Sequence, residues 1–142
     1  MSEGRTALRE SKFGQLTVGV IMEKQVQSAE KDTNAELLAS YMMEGFGSVP
    51  IVDENNKLLG IVSEFDLLAA LRKGKQLPDL AAGEILTANP VSVTQDTDVV
   101  TLIDVLQNNH LIRVPVVDNV GKLIGIVARR DLLRGYLQTL GK

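Results

Sequence analysis

The chain contains no cysteine, so disulfide bonds, thiolate nucleophiles and cysteine metal sites are all excluded. Its one histidine, His110, leaves no histidine cluster that could bind zinc. No apolar run approaches the roughly 18–20 residues that a transmembrane helix needs, and the N-terminus lacks the apolar core of a signal peptide. We therefore expect a cytoplasmic protein that has no contact with a membrane.

A basic excess is also missing, because 15 Lys and Arg residues face 18 Asp and Glu residues, which gives a net charge of −3 at pH 7. General nucleic-acid binders normally carry such an excess, so we do not expect a nucleic-acid partner. The 142 residues are enough for one compact domain with a core. A hydrophobic content of 44% and a charged content of 23% are ordinary for a soluble globular protein.

The most informative feature of the sequence is a tandem repeat. The residues Val, Pro, Val, Asp, Lys, Leu, Gly, Ile, Val, Asp, Leu and Leu follow one another in the same order in 48–68 and 113–133. Agreement of this length indicates a duplicated unit. Each copy predicts two strands joined by a turn, followed by a helix that is entered through Ser63 or Ala128.

Each repeat is predicted to form a β-α-β-β-α unit. Short strands are expected at 26–29 and 91–93, helices open at 32–33 and 96–97, and Thr33 with Glu36 has the spacing of a capping box. The closing helices are expected at 63–72 and 129–140. We divide the chain into a flexible N-terminal arm (1–15), a first repeat (16–75) and a second repeat (76–142). Because one such unit buries too little apolar surface to be stable, we expect one fused module with a shared core.

The duplicated motif resembles the cystathionine-β-synthase (CBS) domain pair, or Bateman module, from about Leu16 to Leu140. The resemblance implies an α/β (α+β) fold in which tandem β-α-β-β-α repeats pack about a pseudo-twofold axis, with two small sheets flanked by helices. It also implies clefts between the repeats that bind AMP, ADP, ATP or S-adenosylmethionine. We accordingly expect a stand-alone regulatory module that forms homodimers and acts on an unknown effector protein.

Two aspartates are the first candidate site residues. A carboxylate just inside a helix N-terminus can accept hydrogen bonds from two adjacent hydroxyls, such as those of ribose. The resemblance gives this role to Asp66 and Asp131, and it gives Ser63 a ligand contact that Ala128 cannot make. A structural alternative stays open, because Ser63 and Asp66 also fit a helix cap with an acidic residue near the positive end of the helix dipole.

Three arginines of the second repeat are candidates for binding phosphate. Arg129 and Arg130 fall in the first turn of the closing helix, where the helix dipole disfavours cations unless an anion joins them. The guanidinium fork suits phosphate oxygens, and the resemblance adds Arg113. Because the implied clefts lie between the repeats, we expect these arginines to serve the site of Asp66. The alternative is that each is a solvated surface charge.

The adenine base is expected to lie against apolar side chains near the first strands and the Val-Pro pairs. The resemblance gives Thr87 a ligand contact, whereas its counterpart Glu23 departs from the family pattern. The alternative for each residue is plain strand packing. The further candidates for the pocket wall are Val26, Val49, Pro50, Pro90, Val91, Val114 and Pro115.

Two hypotheses for function stay open. The first is a regulatory sensor that needs no cofactor and binds an adenosine-containing ligand in one or both clefts, so that the ligand shifts how the module packs. The second is a ligand-free module for dimerisation or protein interaction, which Glu23, Glu64 and Ala128 favour. We recognise no catalytic triad, no carboxylate pair at catalytic spacing and no metal motif, so we do not expect an enzyme.

Overall fold

The computed structural model of the protein describes residues 3–141. The helices are α1 (Glu3–Glu10), α2 (Val18–Ile21), α3 (Ala35–Met43), α4 (Glu64–Arg72), α5 (Ala82–Ile85), α6 (Val99–Asn108) and α7 (Arg129–Thr139). The strands are β1 (Ala29–Glu30), β2 (Ser48–Val52), β3 (Leu58–Ser63), β4 (Thr87–Ala88), β5 (Arg113–Val117) and β6 (Leu123–Ala128). This mixed α/β fold with two small sheets confirms the predicted fold class. Across 3–141, no helix has the length and apolar content that crossing a membrane requires.

The chain forms two compact units whose boundaries do not follow the sequence repeats. The first unit comprises the described residues of Met1–Val26, Val91–Asn119 and Ile124–Lys142, and the second comprises Gln27–Pro90 and Val120–Leu123. The segment that opens the first repeat therefore packs with β5, β6 and α7. The segment that opens the second repeat packs with β2, β3 and α4 in the same way.

The second unit is built on a sheet with the strand order β1-β2-β3-β4. Strand β1 pairs in parallel with β2, and β2 and β4 pair antiparallel with β3. Pro50 lies within β2 opposite Ile61, although proline cannot donate a hydrogen bond to a ladder. It is tolerated because β1 pairs only with Ile51 and Val52, so the side of β2 away from β3 is unpaired at Pro50.

Each unit has its own apolar core, whereas the sequence predicts one core shared by the whole module; each of the two cores contains residues of both repeats. The buried residues of the first unit's core are Phe13, Val18, Ile21, Val93, Val99, Leu102, Leu106, Val114, Val116, Val127 and Leu132. Those of the second unit's core are Ala35, Leu38, Met42, Val49, Ile51, Val62, Leu67, Ala70, Leu80 and Ala82. Burying a Leu, Ile or Val side chain stabilises a protein by about 1.5–3 kcal/mol, so these two clusters hold the site elements in place.

The predicted first strands are shorter than expected and shifted. The strand expected at 26–29 is β1, Ala29–Glu30, because the parallel pairing on β2 is confined to Ile51 and Val52. The strand expected at 91–93 is reduced to one parallel bridge between Val93 and Val116. The closing helices α4 and α7 lie where the sequence predicts them.

The predicted capping box at Thr33 is wrong by one residue. Asn34 is the N-cap of α3, and its side chain accepts a hydrogen bond from the Glu36 N–H at 2.8 Å. Thr33 instead closes the preceding turn, because its hydroxyl accepts from the Glu30 N–H at 3.1 Å. In the second repeat Asp98 caps α6, and the hydrogen bond from the Thr101 N–H lowers the pKa of this carboxyl.

The segment expected to be a flexible arm contains helix α1, which lies in the first unit. Arg5 Nη1 donates to Asp104 Oδ1 at 2.7 Å, and this hydrogen bond lowers the pKa of Asp104. The side chain of Leu8 packs against the first core. The mobility of this segment stays a prediction.

Candidate functional site

The corner between β3 and α4 combines a helix cap with an unused carboxylate oxygen. The Ser63 N–H donates to Asp66 Oδ2 at 2.8 Å, and the Ser63 hydroxyl donates to the same oxygen at 3.1 Å. The Ser63 hydroxyl oxygen also accepts from the Asp66 N–H at 3.3 Å, which completes a capping box. Asp66 is half-buried, and no residue within 3–141 donates to its Oδ1 atom. The predicted cap is therefore present, and it leaves half of the carboxylate available.

Thr87 is held beside this corner by β4. Strand β4 pairs antiparallel with β3, so that Thr87 lies opposite Ile61, two residues before Ser63. The pairing requires a glycine at position 60, because a Cβ atom there would lie 2.6 Å from the Thr87 carbonyl oxygen. The side chain of Thr87 is exposed. The structure thus brings Ser63, Asp66 and Thr87 into one compact unit, with Thr87 supplied by the second repeat.

The equivalent corner between β6 and α7 has the same backbone hydrogen bond to its aspartate, but the second carboxylate oxygen has a different environment. The Ala128 N–H donates to Asp131 Oδ2 at 2.8 Å, as the Ser63 N–H does in the other corner. The second oxygen, Asp131 Oδ1, accepts from Arg134 Nη1 at 2.9 Å, and Asp131 is only 6% exposed. Glu23 pairs with Ile126, in the position that Thr87 takes opposite Ile61. Both oxygens of this carboxylate are therefore engaged.

The three candidate arginines lie in the first unit, together with Asp131. Arg113 begins β5 and is half-buried, whereas Arg129 and Arg130 are exposed in the first turn of α7. None of the three forms an ion pair with another residue of the described chain. Their positive charge is therefore not neutralised within residues 3–141, which leaves them available to an anion. The expectation that they serve the site of Asp66 stays a prediction.

The candidate wall residues fall into two groups by burial. Val49, Pro50, Val114 and Pro115 are buried within β2 and β5, where their side chains fill the strand layers. Val26 and Pro90 are half-buried in loops, and Val91 is exposed. Thr87 and Pro90 belong to the second unit, whereas Val26 and Val91 belong to the first. The accessible residues Val26, Pro90 and Val91 are consequently the ones that a ligand could contact. The four buried residues contribute to the packing of their strands.

Two concave surfaces of the described chain lie away from Asp66 and Thr87. A pocket of about 800 Å³ in the first unit is mainly apolar, and Arg129 is the one candidate residue on its wall. A pocket of about 610 Å³ in the second unit is lined by polar and acidic side chains around Asp32 and Asp53. Neither of these pockets contains a carboxylate with a free acceptor beside Thr87, as the β3–α4 corner does.

The sequence analysis did not single out Arg134. Its counterpart in the first repeat, three residues after Asp66, is Ala69. The signal was visible in the alignment of the two repeats, since a cation at this position can reach the aspartate across one helical turn.

The sequence model of the CBS domain matches residues 18–73 and 82–138. The protein MK0525 of Methanopyrus kandleri is 32% identical over 121 residues, which are 84% of this chain and 62% of that protein. The chain spans just under two thirds of the length of the first curated relatives that it matches.

Solved structures give the same result. The CBS domain pair of protein MJ0100, in complex with 5′-methylthioadenosine and S-adenosyl-L-methionine, has a TM-score of 0.75 at 28% identity and covers 86% of this chain and 96% of its own. CBSX2 of Arabidopsis thaliana, in complex with AMP, has a TM-score of 0.77 at 29% identity and covers 89% of this chain and 99% of its own. The chain therefore belongs to the CBS domain family and contains two copies of the domain.

Proposed function

We propose that the protein is a regulatory module that binds an adenosine-containing ligand at the corner formed by Ser63, Asp66 and Thr87. The observation that carries the proposal is the Oδ1 atom of Asp66, which accepts no hydrogen bond within residues 3–141 while Ser63 holds Oδ2. Related CBS pairs in complex with AMP, or with 5′-methylthioadenosine and S-adenosyl-L-methionine, support the class of ligand.

The chemistry of the corner fits a ribose diol. The two hydroxyls of ribose are adjacent donors, and a carboxylate has acceptor sites on both oxygens. The cap orients Asp66 before a ligand arrives, so binding costs little side-chain entropy at this residue. We propose that Thr87 and Pro90 contact the base or sugar from the neighbouring loop. Arg113, Arg129 and Arg130 are the proposed partners of a phosphate group.

We propose a regulatory role that needs no cofactor and involves no catalysis by this chain. Residues 3–141 contain no group of three or more His, Asp and Glu side chains that could hold a metal ion. A regulatory ligand acts by differential affinity for two arrangements of the protein, and it requires no chemical step. The cytoplasmic location and the effector protein stay predictions.

A panel of ligands tests the proposal. We expect one of AMP, ADP, ATP and S-adenosylmethionine to stabilise the purified protein by roughly 2.7 kcal/mol when present at about 100 times its dissociation constant. This stabilisation raises the thermal unfolding midpoint by about 5–11 °C for a domain of this size. NAD, which also contains adenosine, belongs to the panel, and GTP, which lacks adenine, serves as the control. If no adenosine-containing ligand shifts the midpoint at millimolar concentration, the sensor function is wrong.

A second candidate function, self-association, is favoured by exposed apolar side chains on the closing helices. On α4 the side chain of Phe65 is 82% exposed, and Leu68 and Leu71 are exposed on the same helix. On α7 the exposed apolar residues are Leu133, Tyr136 and Leu137. Exposed apolar residues that cluster on one helix commonly mark protein interaction surfaces. We propose that the exposed apolar side chains of α4 form the interface of a homodimer.

The change Phe65→Glu is expected to convert a dimer into monomers in sedimentation-velocity experiments, because it places a charge on an apolar interface. The side chain of Phe65 contributes little to the core, so the unfolding temperature of the isolated chain should change little. Val20→Glu is the matched control, since Val20 is 69% exposed but lies on α2. A wild-type protein that sediments as a monomer at micromolar concentration would contradict the proposed dimer.

A further inference from the structure

The two carboxylates of the repeated corners differ in one contact, which a single residue supplies. Asp131 Oδ1 accepts from Arg134 at 2.9 Å, whereas Asp66 Oδ1 has no donor among residues 3–141. The residue equivalent to Arg134 is Ala69, whose side chain has no polar atom. The remaining capping bond is the same in both corners, from a backbone N–H to Oδ2 at 2.8 Å.

The contact with Arg134 competes directly with a ribose. A diol would have to donate to the oxygen that already accepts a charge-assisted hydrogen bond from a guanidinium group. The Asp131 carboxylate is also less accessible, because Asp131 is almost fully buried while Asp66 is half-buried. A ligand at Asp131 must therefore first displace the arginine.

We propose that Arg134 is a specificity-determining residue that weakens ribose binding at the Asp131 corner, so that an adenosine-containing ligand binds more tightly at the Asp66 corner. This inference rests on the proposed function. Two neighbouring differences act in the same direction. Ala128 lacks the hydroxyl that Ser63 offers, and Glu23 places a second carboxylate where the other corner has Thr87.

Arg134 weakens ligand binding at Asp131 without preventing it, because the Arg134 side chain is itself accessible to solvent. Its side chain is 50% exposed, and exposed ion pairs contribute little to stability. The hydrogen bond from Arg134 to the nearly buried Asp131 carboxylate adds to the small free energy of the ion pair. Together they correspond to a weakening of ligand binding by about tenfold.

Transfer of the arginine to the open corner tests the inference. Ala69 is exposed on α4, so Ala69→Arg should fold normally and place a guanidinium within reach of Asp66 Oδ1. We expect calorimetric titration with AMP to show about tenfold weaker binding than in the wild type. Ala69→Gln, which is long and polar but uncharged, should bind within about twofold of the wild type. S-adenosylmethionine replaces AMP as the probe if the wild type binds it instead.

Each outcome separates the inference from the proposed function. Wild-type binding with equal affinity in Ala69→Arg and Ala69→Gln overturns the role of the arginine and leaves the ligand site at Asp66 intact. Two ligands per chain bound with equal affinity, one of them lost in Asp131→Ala, would also overturn it. Stronger binding in Ala69→Arg would show that an arginine at this position attracts phosphate, which is the opposite of the proposal. Absence of wild-type binding to every adenosine-containing ligand overturns both.

Discussion

The change Asp66→Ala is expected to weaken binding of AMP by about 100-fold or more, because it removes the acceptor of both ribose hydroxyls. Each hydrogen bond to a charged group contributes about 1.5–3 kcal/mol, and two such bonds account for the loss. The helix should survive the change, since the hydroxyl oxygen of Ser63 accepts from the backbone N–H of residue 66 whichever side chain follows. Titration calorimetry measures the affinity, and thermal unfolding checks the fold.

Asp131→Ala is the matched control for this change. Its carboxylate already accepts from the Ala128 N–H and from Arg134, so its removal should leave AMP affinity within about twofold of the wild type. It should lower stability by about 1 kcal/mol, because α7 has no other side-chain cap at its start. The opposite pattern, with affinity lost in Asp131→Ala and retained in Asp66→Ala, would contradict the assignment of the site to the β3–α4 corner.

The second large effect is expected from Gly60→Ala, although the residue carries no side chain and contacts no ligand. The added Cβ atom would lie 2.6 Å from the Thr87 carbonyl oxygen and 2.7 Å from Leu86 Cδ1, so β4 must move away from β3. Overpacking of this kind typically costs about 1–3 kcal/mol. Because β4 carries Thr87, we also expect AMP affinity to fall by about tenfold or more, as a displaced contact residue predicts.

Gly125→Ala separates the loss of stability from the loss of binding. At this equivalent position the added Cβ atom would lie 2.9 Å from the Glu23 carbonyl oxygen and 2.8 Å from Met22 Sδ. We expect a comparable fall in unfolding temperature, with AMP affinity near that of the wild type, because the affected strand pairing belongs to the other unit. Equal loss of affinity in both variants would show that Gly60 acts only through overall stability.

The sequence predicted the strand-turn-strand-helix corners well because several independent signals agree there. Two apolar runs, a turn with aspartate and a helix entered through Ser63 or Ala128 recur in both copies, and the observed β2-β3-α4 and β5-β6-α7 segments follow them closely. The short opening strands were harder, since two paired residues carry almost no periodic pattern. The cap of α3 was misplaced because positions 32–34 are all polar residues that can cap a helix.

The geometry of the candidate site could be predicted from local sequence only in part. For Asp66 the two alternatives, a cap and a ligand site, turned out to be compatible, because the cap uses only one carboxylate oxygen. The state of Asp131 depends on the direction taken by a long side chain one turn away, which spacing allows but does not dictate. The pairing of Thr87 with Ile61 and of Glu23 with Ile126 joins distant parts of the chain, which no local pattern reveals.

The composition of the two units has a consequence for the ancestry of the chain. A polypeptide with one repeat would lack, within itself, the opening segment that pairs against its own hairpin, since here that segment comes from the other copy. Such an ancestor could complete each unit only by exchanging segments with a second molecule. Fusion of the two genes makes the exchange intramolecular, so that folding no longer depends on protein concentration.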